Sequence, residues 1–446
     1  MEASVTAIRA RLEQPWLPAP LQERVVACFE KRLAELNARQ AEVPAASVLL
    51  AESDPAALLG GLLAAVAAHA PVFLANPDWR ENEWAQVAAQ LEPTLTWGRV
   101  SWPERMGVTL PPMEPFRGHL MIPTGGTGGR VRFAAHTWET LGAAVAGYGE
   151  FFQAEPVNAW CVLPLWHVSG LMQALRTLMS GGRLVLGDYR DLAEPETGAS
   201  LPGRGDFHLS LVPTQLGRIL ALPGGADWLR GFGLLLIGGA GMPPDLREKA
   251  IRAGLGLACS YGMTETAAVV AAQRPGAFLA GEALAGEVFP HVRVTVEAGE
   301  IAIRAKSLFR GYYPEPPAAR EEFRPGDEGA LDEKGRLRVI GRRDRLIITG
   351  GEKVDPREVE AAIRAVSPSA EALVVGEPDP DWGQRVTALV AGIPDGELAA
   401  LQVALRERLQ AASVPKRWLA VAELPLKPNG KPDHGRLAQA LGMGGK

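Results

Sequence analysis

Short apolar runs with β-strand character alternate with amphipathic segments over the first two-thirds of the chain. The runs are four to six residues long and lie at residues 72–75, 159–164, 183–186, 208–212 and 233–237. Amphipathic segments such as 138–152 and 244–253 lie between them. Parallel strands need a crossover connection, which is usually a helix. The alternation therefore predicts an α/β fold of parallel-type sheets with helices.

The pattern changes after residue 286. Residues 292–305 alternate apolar and polar side chains around a glycine-containing turn, and residues 329–341 repeat this arrangement. Alternation at period two with a short turn is typical of an antiparallel hairpin. We therefore predict a small β-rich subdomain at about residues 286–341, which completes an N-terminal domain of residues 1–341.

The chain beyond Arg342 has the pattern of a separate α+β unit. Asp355 is placed to cap a helix whose first residue is Pro356, a combination typical of helix N-termini. Strands are predicted at residues 371–376 and 385–393, followed by a helix at 396–412 and a polar tail. We predict a small, mobile C-terminal domain of residues 342–446.

Composition limits the classes of protein that this chain can represent. Its 446 residues are 47% hydrophobic and 22% charged, which is globular rather than disordered. The net charge of −5 predicts no general affinity for nucleic acid or anionic membranes. The three cysteines, at 28, 161 and 259, are too far apart for a disulfide framework or a structural zinc site. A reducing cytoplasm is the expected location.

One apolar stretch, residues 56–75, has roughly the length of a membrane span. It consists mostly of alanine and glycine with aliphatic residues, and it contains His69 and Pro71. A buried helix followed by a short strand explains this composition better than a span, because that is the unit from which a parallel sheet is built. We predict no membrane insertion.

A glycine-rich segment, PTGGTGGRVR at residues 123–132, is the first candidate for chemistry. Glycine lets the backbone approach an anion closely, and successive N–H groups can surround phosphate oxygens. Arg130 and Arg132 add positive charge. A flexible turn is the alternative. The segment lacks the lysine of a Walker A loop and the glycine spacing of a dinucleotide fingerprint.

This segment resembles the phosphate-binding signature of the acyl-adenylate-forming superfamily, which contains acyl- and aryl-CoA ligases, luciferases and peptide-synthetase adenylation domains. Val131 stands where that signature has proline, and Arg132 stands where it has lysine. Two glycines, at 125 and 128, replace hydroxyl residues. The resemblance implies that the ATP phosphates are bound by Thr124, Gly125, Gly126, Thr127, Gly128, Gly129 and Arg132.

The segment SYGMTET, at residues 260–266, is similar to a second motif of the same superfamily. The resemblance implies that Tyr261 lies near adenine, that Thr264 contacts the α-phosphate and that Glu265 holds Mg²⁺. A hard dication that bridges phosphates favours a carboxylate oxygen. The resemblance also places the turn at Gly239 and Ala240 beside the adenine. The alternatives are a surface turn with a solvated glutamate and a generic strand–turn–helix connection.

The longest match covers about forty residues from Arg324. In the superfamily the corresponding aspartate, here Asp327, binds the ribose hydroxyls, and the arginine at Arg342 reaches the ribose region. Asp344 occupies the hinge position. The alternative for the aspartates is a role in turns. The turn near the thioester-forming side corresponds to Gly350, Gly351 and Glu352.

A basic segment at residues 425–437 resembles the C-terminal lysine motif of the superfamily and places that lysine at Lys431. A flexible ammonium can neutralise charge while a carboxylate attacks the α-phosphate. Read alone, the segment would be a solvated basic tail. Together the motifs imply an ATP-dependent acid–CoA ligase that uses ATP, Mg²⁺ and coenzyme A.

Narrower features, including LPLWHVSGLMQALRTLM at residues 163–179, are similar to o-succinylbenzoate–CoA ligases of menaquinone and phylloquinone biosynthesis. That resemblance implies that His167 lies at the substrate gate and that Arg176 meets the distal carboxylate of the substrate. A packed histidine and a surface or structural arginine are the alternatives. Activation of another aryl or fatty acid, loading of a carrier protein, non-catalytic nucleotide binding and a homodimer all remain open.

Overall fold

Two mixed sheets with flanking helices form the first two-thirds of the chain. The computed structural model describes residues 2–101, 111–125, 131–188, 204–282, 286–342, 347–349, 352–394, 396–409, 411–426 and 432–442. The first sheet contains, in spatial order, β15 (Tyr312–Tyr313), β5 (Val131–Thr137), β4 (His119–Gly125), β2 (Val72–Leu74), β1 (Val48–Ala51) and β3 (Leu95–Gly98). Strands β4, β2, β1 and β3 are parallel, whereas β15, β5 and β4 are antiparallel.

The second sheet has seven strands and carries most of the parallel pairing. Its spatial order is β12 (Glu287–Val288), β11 (Ala268–Ala272), β10 (Leu257–Met263), β9 (Leu234–Ile237), β8 (Phe207–Leu211), β6 (Asn158–Cys161) and β7 (Leu184–Leu186). The five strands from β10 to β7 are parallel, and β11 and β12 add an antiparallel edge. The predicted α/β class is confirmed.

The helices of this part cover the two sheets. They are α1 (Val5–Leu12), α2 (Ala19–Glu42), α3 (Pro55–Ala67), α4 (Glu81–Ala88), α5 (Trp138–Phe152), α6 (Val168–Ser180), α7 (Pro213–Ala221), α8 (Gly225–Arg230), α9 (Pro244–Arg252) and α10 (Pro275–Leu279). Helix α5 begins where the Thr137 hydroxyl accepts a hydrogen bond from the Thr140 backbone N–H. That contact satisfies one of the free donors of the first turn.

The apolar stretch at residues 56–75 forms α3 and β2, as predicted. Helix α3 is buried on almost every side and packs against α2 at Gly60. A Cβ atom at Gly60 would lie 2.7 Å from the Cβ of Cys28, so only glycine allows the two helices this approach. Within the described ranges, no helix combines the length and apolar character that crossing a membrane requires.

A four-stranded antiparallel sheet follows the second sheet along the chain. Its strands are β13 (Val292–Glu297), β14 (Glu300–Ala305), β16 (Asp327–Leu331) and β17 (Leu337–Arg342). Both predicted hairpins are present, since β13 pairs with β14 and β16 pairs with β17. A register shift between Glu328 and Gly329 bends β16 close to its first residue, Asp327.

The C-terminal part is the smaller α+β unit. It contains β18 (Ile347–Thr349), β19 (Glu352–Val354), β20 (Glu371–Asp379), β21 (Gly383–Ala391) and β22 (Arg417–Ala420), with helices α11 (Pro356–Val366), α12 (Glu397–Arg408) and α13 (His434–Leu441). Asp355 caps α11 by accepting from the Arg357 backbone N–H at 2.9 Å. The boundary at residues 341–342 stays a prediction, because residues 343–346 lie outside the described ranges.

The predicted polar tail is wrong. The helix at 396–412 ends at Arg408, and the chain then forms β22, which pairs in parallel with β21. Arg417 in β22 donates to the buried Glu377 of β20 at 2.5 Å, and α13 packs its apolar residues beneath the same sheet. The strand was missed because its apolar run is short and its partner lies about thirty residues away.

Candidate active site

The hairpin of β4 and β5 supports the predicted phosphate loop. Thr124 near the end of β4 lies opposite Arg132 near the start of β5, and Gly125 is the last residue of β4. Four predicted loop residues lie outside the described ranges, namely Gly126, Thr127, Gly128 and Gly129. The strands that flank the predicted loop along the chain both belong to the first sheet.

Glu265 lies in a short 3₁₀ turn, Thr264–Thr266, that follows β10 directly. The Thr266 hydroxyl holds this turn by accepting from the Met263 backbone N–H at 3.1 Å. The carbonyl oxygen of Glu265 accepts from the Phe309 backbone N–H at 2.9 Å, and its carboxylate is buried, with 6% of the residue exposed. The local sequence therefore directs a carboxylate into the protein rather than into solvent, which excludes the surface-turn alternative.

His136 of β5, a strand of the first sheet, contacts the same turn. The ring is completely buried in β5, and its Nε2 donates to the Thr264 carbonyl oxygen at 2.8 Å, while Nδ1 lies 3.0 Å from the Thr140 hydroxyl. A carbonyl oxygen can only accept, so Nε2 carries the proton. Burial lowers the pKa of His136 to about 4, so the imidazole is neutral at physiological pH. This contact joins residues 128 positions apart.

Tyr312 connects Glu265 with Arg132. Its hydroxyl donates to Oε1 of Glu265 at 2.6 Å, and the Arg132 guanidinium lies 4.1 Å above the centre of its ring. Burial, and then the neighbouring Glu265 charge, raises the pKa of Tyr312 well above its ordinary value, so the hydroxyl remains a donor. The predicted loop cation and the predicted metal ligand therefore meet around one tyrosine.

Tyr261 and Asp327 form the second contact of the site. The Tyr261 hydroxyl donates to Oδ2 of Asp327 at 2.5 Å, and only 7% of Asp327 is exposed. Arg342 is the cross-strand partner of Asp327 in β17, which brings the two predicted ribose-side positions together along the backbone. Because Tyr261 and Glu265 lie on one continuous segment, the predicted ribose and phosphate sides of the site are neighbours.

The glycine turn after β9 lies beside this segment. A Cβ atom at Gly238 would be 2.5 Å from the Ser260 hydroxyl, and Gly239 adopts a φ of +81°, which favours glycine. Ala240 follows and is exposed. These glycines keep the turn close to β10, next to Tyr261, where the sequence predicts adenine.

The predicted residues of the C-terminal side are mostly beyond the described part of the chain. Glu352 is described: it is exposed, begins β19 and lies opposite Thr349 of β18. The others fall outside the described ranges, namely Asp344, Gly350, Gly351 and Lys431. Their assigned roles therefore stay predictions.

Arg176 is buried inside the N-terminal part of the protein. Only 4% of it is exposed, and its guanidinium lies 3.8 Å above the ring of Tyr148. The Tyr148 hydroxyl lies 3.0 Å from Nδ1 of His208, and Nε of Arg176 is buried without a hydrogen-bond partner. No carboxylate of the described residues pairs with Arg176. The surface-arginine alternative is wrong because Arg176 is buried, whereas a structural role stays open.

His167 is exposed and occupies the N-cap position of α6, the helix that also carries Arg176. Its carbonyl oxygen accepts the first helical hydrogen bond, from Leu171 at 2.9 Å. The packed-histidine alternative is therefore wrong. The gate role assigned to His167 stays a prediction.

Glu265 suits a magnesium ion that is shared with phosphates. Its Oε1 accepts from a neutral hydroxyl, and among the described residues no cation neutralises its buried charge. The described part of the chain contains no cluster of three potential metal ligands. Mg²⁺ is commonly held by one or two carboxylates together with substrate phosphates and water. The residues present therefore fit a metal that arrives with a nucleotide.

Two residues of the site were missed by sequence reasoning, namely His136 and Tyr312. A histidine inside the apolar strand pattern of β5 and a tyrosine pair in a chain with five tyrosines were the available signals. Neither signal identifies a partner, because Tyr312 and Glu265 are 47 residues apart and meet only where the first sheet contacts the turn that follows β10 of the second sheet.

Comparisons with known proteins identify the family of this chain. The model of the AMP-binding enzyme family matches residues 45–313, and the model of the AMP-binding enzyme C-terminal domain matches residues 358–431. The chain belongs to the AMP-binding enzyme family.

Two relatives and one solved structure describe the similarity further. The chain is 32% identical over 69% of its length to a 2-succinylbenzoate–CoA ligase of Salmonella typhimurium, and 35% identical over 66% of its length to one of Geobacillus kaustophilus. These matches span 66% and 62% of the two relatives. The fold matches an o-succinylbenzoate CoA synthetase of Bacillus subtilis with a TM-score of 0.80 at 20% identity, covering 97% of both chains.

Proposed function

We propose that this protein joins a carboxylic acid to AMP and then transfers the acyl group to coenzyme A. The observation that carries the proposal is the arrangement of two buried carboxylates around the segment 261–265: Glu265 belongs to this segment, and Asp327 is bonded to it through Tyr261. Glu265 is oriented by Tyr312 and Asp327 is oriented by Tyr261, beside the hairpin that ends in the glycine loop. This arrangement suits a nucleotide whose ribose and phosphates are bound by different residues.

In the first step, a carboxylate oxygen of the substrate attacks the α-phosphorus in line. A new O–P bond forms, the bond between the α-phosphorus and pyrophosphate breaks, and the product is an acyl-adenylate. The reaction needs no protein nucleophile; it needs positioning and charge neutralisation. Thr264 and the glycine amides would contact the phosphates, and Arg132 and Lys431 would neutralise their charge. Glu265 would hold Mg²⁺, which withdraws charge from the phosphate oxygens.

In the second step, the coenzyme A thiolate attacks the acyl carbon, the bond to AMP breaks, and a thioester forms. We propose that the C-terminal domain turns about Asp344 between the two steps. This motion would withdraw Lys431 and bring the turn at Gly350, Gly351 and Glu352 to the thioester-forming side. Domain rotation of this kind is a common way to use one site for two reactions.

The buried charge of Arg176 supports a substrate with a second carboxylate. An ion without a counter-charge is costly in the interior, and a carboxylate is the natural partner of a guanidinium. The names of the two curated relatives point to the same class of acid. We propose o-succinylbenzoate as the acid, with His167 at the entrance to its site. A cytoplasmic location and a homodimer stay predictions.

Pyrophosphate release measured over a panel of acids tests this proposal. The panel contains o-succinylbenzoate, benzoate and a medium-chain fatty acid, each with and without coenzyme A. We expect release that depends on o-succinylbenzoate, and a thioester only when coenzyme A is present. Replacing coenzyme A with a phosphopantetheinylated carrier protein tests the carrier-loading alternative. Absence of acid-dependent release with every acid would refute the proposed activity.

A further inference from the structure

Tyr312 and Tyr313 are adjacent in β15 and serve opposite faces of the first sheet. They lie opposite Ala134 and Phe133 of β5, and neighbouring side chains of a strand point to opposite faces. Tyr313 packs into an aromatic cluster, with its ring centre 4.9 Å from that of Phe73. Its buried hydroxyl has no hydrogen-bond partner among the described residues. Tyr312 instead faces the candidate active site and contacts Glu265. The two tyrosines therefore carry the same side chain in different surroundings.

The hydroxyl of Tyr312 orients Glu265 without cancelling its charge. A lysine or arginine at this position would form an ion pair and leave little negative charge for a metal. A tyrosine donates one neutral hydrogen bond, at 2.6 Å to Oε1, and this bond does not involve Oε2. Hydrogen bonds to ligating carboxylates commonly set ligand orientation at metal sites.

The ring of Tyr312 also carries a stacked cation. Arg132 stacks on the ring at 4.1 Å, which is a favourable position for a guanidinium. Although Arg132 and Glu265 are both within the described ranges and contact the same tyrosine, no ion pair joins them. Each charge thus remains available, the cation for phosphate oxygens and the carboxylate for a metal.

We propose that Tyr312 is a positioning residue with two tasks: its hydroxyl sets the metal-binding orientation of Glu265, and its ring prevents Arg132 from pairing with Glu265. The proposal rests on the proposed function, since it assumes that Glu265 holds the metal of a metal–nucleotide complex. It explains why a guanidinium, whose flat face can stack on the ring, serves at position 132 of this chain.

The test compares Tyr312→Phe with Tyr313→Phe, which remove the same atom from adjacent residues on opposite faces. The measurement is binding of a fluorescent ATP analogue as a function of Mg²⁺ concentration, with AMP binding without metal as a second readout. For Tyr312→Phe we expect the half-saturating Mg²⁺ concentration to rise by roughly 10- to 100-fold, with AMP binding unchanged. Tyr313→Phe is expected to match the wild type in both measurements.

A second comparison tests the role of the ring. Tyr312→Leu removes both the hydroxyl and the ring, so Arg132 becomes free to pair with Glu265, and the Mg²⁺ requirement is expected to exceed that of Tyr312→Phe. Adding Arg132→Gln removes the competing cation and is expected to return the Mg²⁺ requirement to the Tyr312→Phe level. Each variant is measured at a saturating concentration of the analogue, because Arg132 is itself assigned to the phosphates. A double variant that stays as weak as Tyr312→Leu overturns the role of the ring.

Equal Mg²⁺ requirements of Tyr312→Phe, Tyr313→Phe and the wild type overturn the role of the hydroxyl. Failure of the proposed function has a different signature, since the wild type itself would then show no Mg²⁺-dependent binding of the ATP analogue.

Discussion

Replacing Arg176 by methionine tests whether this arginine binds the substrate or only stabilises the fold. The guanidinium is 4% exposed, and no described carboxylate pairs with it. The effective penalty for a buried ion is several kcal/mol, whereas the ring of Tyr148 offsets only about 0.5–2 kcal/mol of it. Methionine has a similar length and no charge. We therefore expect Arg176→Met to unfold at the same temperature as the wild type or higher.

The same substitution should weaken binding of the dicarboxylic substrate, although it does not lower the stability of the protein. Truncating one partner of a buried charge pair costs about 2–5 kcal/mol, which corresponds to roughly a 30- to 5,000-fold loss of affinity. Arg176→Met should therefore raise KM for o-succinylbenzoate strongly and leave KM for ATP unchanged.

The assay is acid-dependent ATP–pyrophosphate exchange, run with o-succinylbenzoate and with a monocarboxylic analogue that lacks the distal carboxylate. The wild type should prefer the dicarboxylic acid, and Arg176→Met should lose that preference. A variant that unfolds at lower temperature and weakens both acids equally would show that Arg176 is structural, which would refute the reasoning.

Two further predictions concern the site and its surroundings. Tyr261→Phe removes the hydrogen bond to Asp327, and a hydrogen bond to a charged group contributes roughly 1.5–3 kcal/mol; KM for ATP should rise, and discrimination against 2′,3′-dideoxy-ATP, measured by exchange, should fall. His136 is buried and His208 is half-buried, and burial lowers the pKa of each to about 4. Between pH 4 and the unfolded value of about 6.5, the unfolded chain therefore binds more protons. Stability measured by urea denaturation should therefore fall as pH drops through this window, and less steeply in His136→Gln; a pH-independent stability would contradict the assignment of neutral imidazoles.

Local patterns were sufficient to predict most of the elements that support the site. The segment 138–152 is α5, because its apolar positions follow the helical period and Thr137 caps its first turn. The hairpins at β13–β14 and β16–β17 follow from alternation around glycine-containing turns. These features depend on residues that are close in sequence, which is why a single chain reveals them.

Contacts between distant segments could not be predicted from the same patterns. His136 meets Thr264, and Tyr312 meets Glu265, only because two strands of the first sheet, β5 and β15, contact the turn that follows β10 of the second sheet. Arg417 and Glu377 form a comparable contact in the C-terminal sheet, and the strand that carries Arg417 was missed altogether. The burial of Arg176 could not be predicted from the sequence either, because the spacing of apolar residues in α6 does not show which face of the helix is covered by other elements.

A crystal structure of the protein with Mg²⁺ and a non-hydrolysable ATP analogue would test the central claim most directly. The account predicts a metal bound to Glu265, ribose hydroxyls within hydrogen-bond distance of Asp327, and phosphates against the loop between β4 and β5. A nucleotide bound elsewhere, with Glu265 and Asp327 contacting no part of it, would contradict the account.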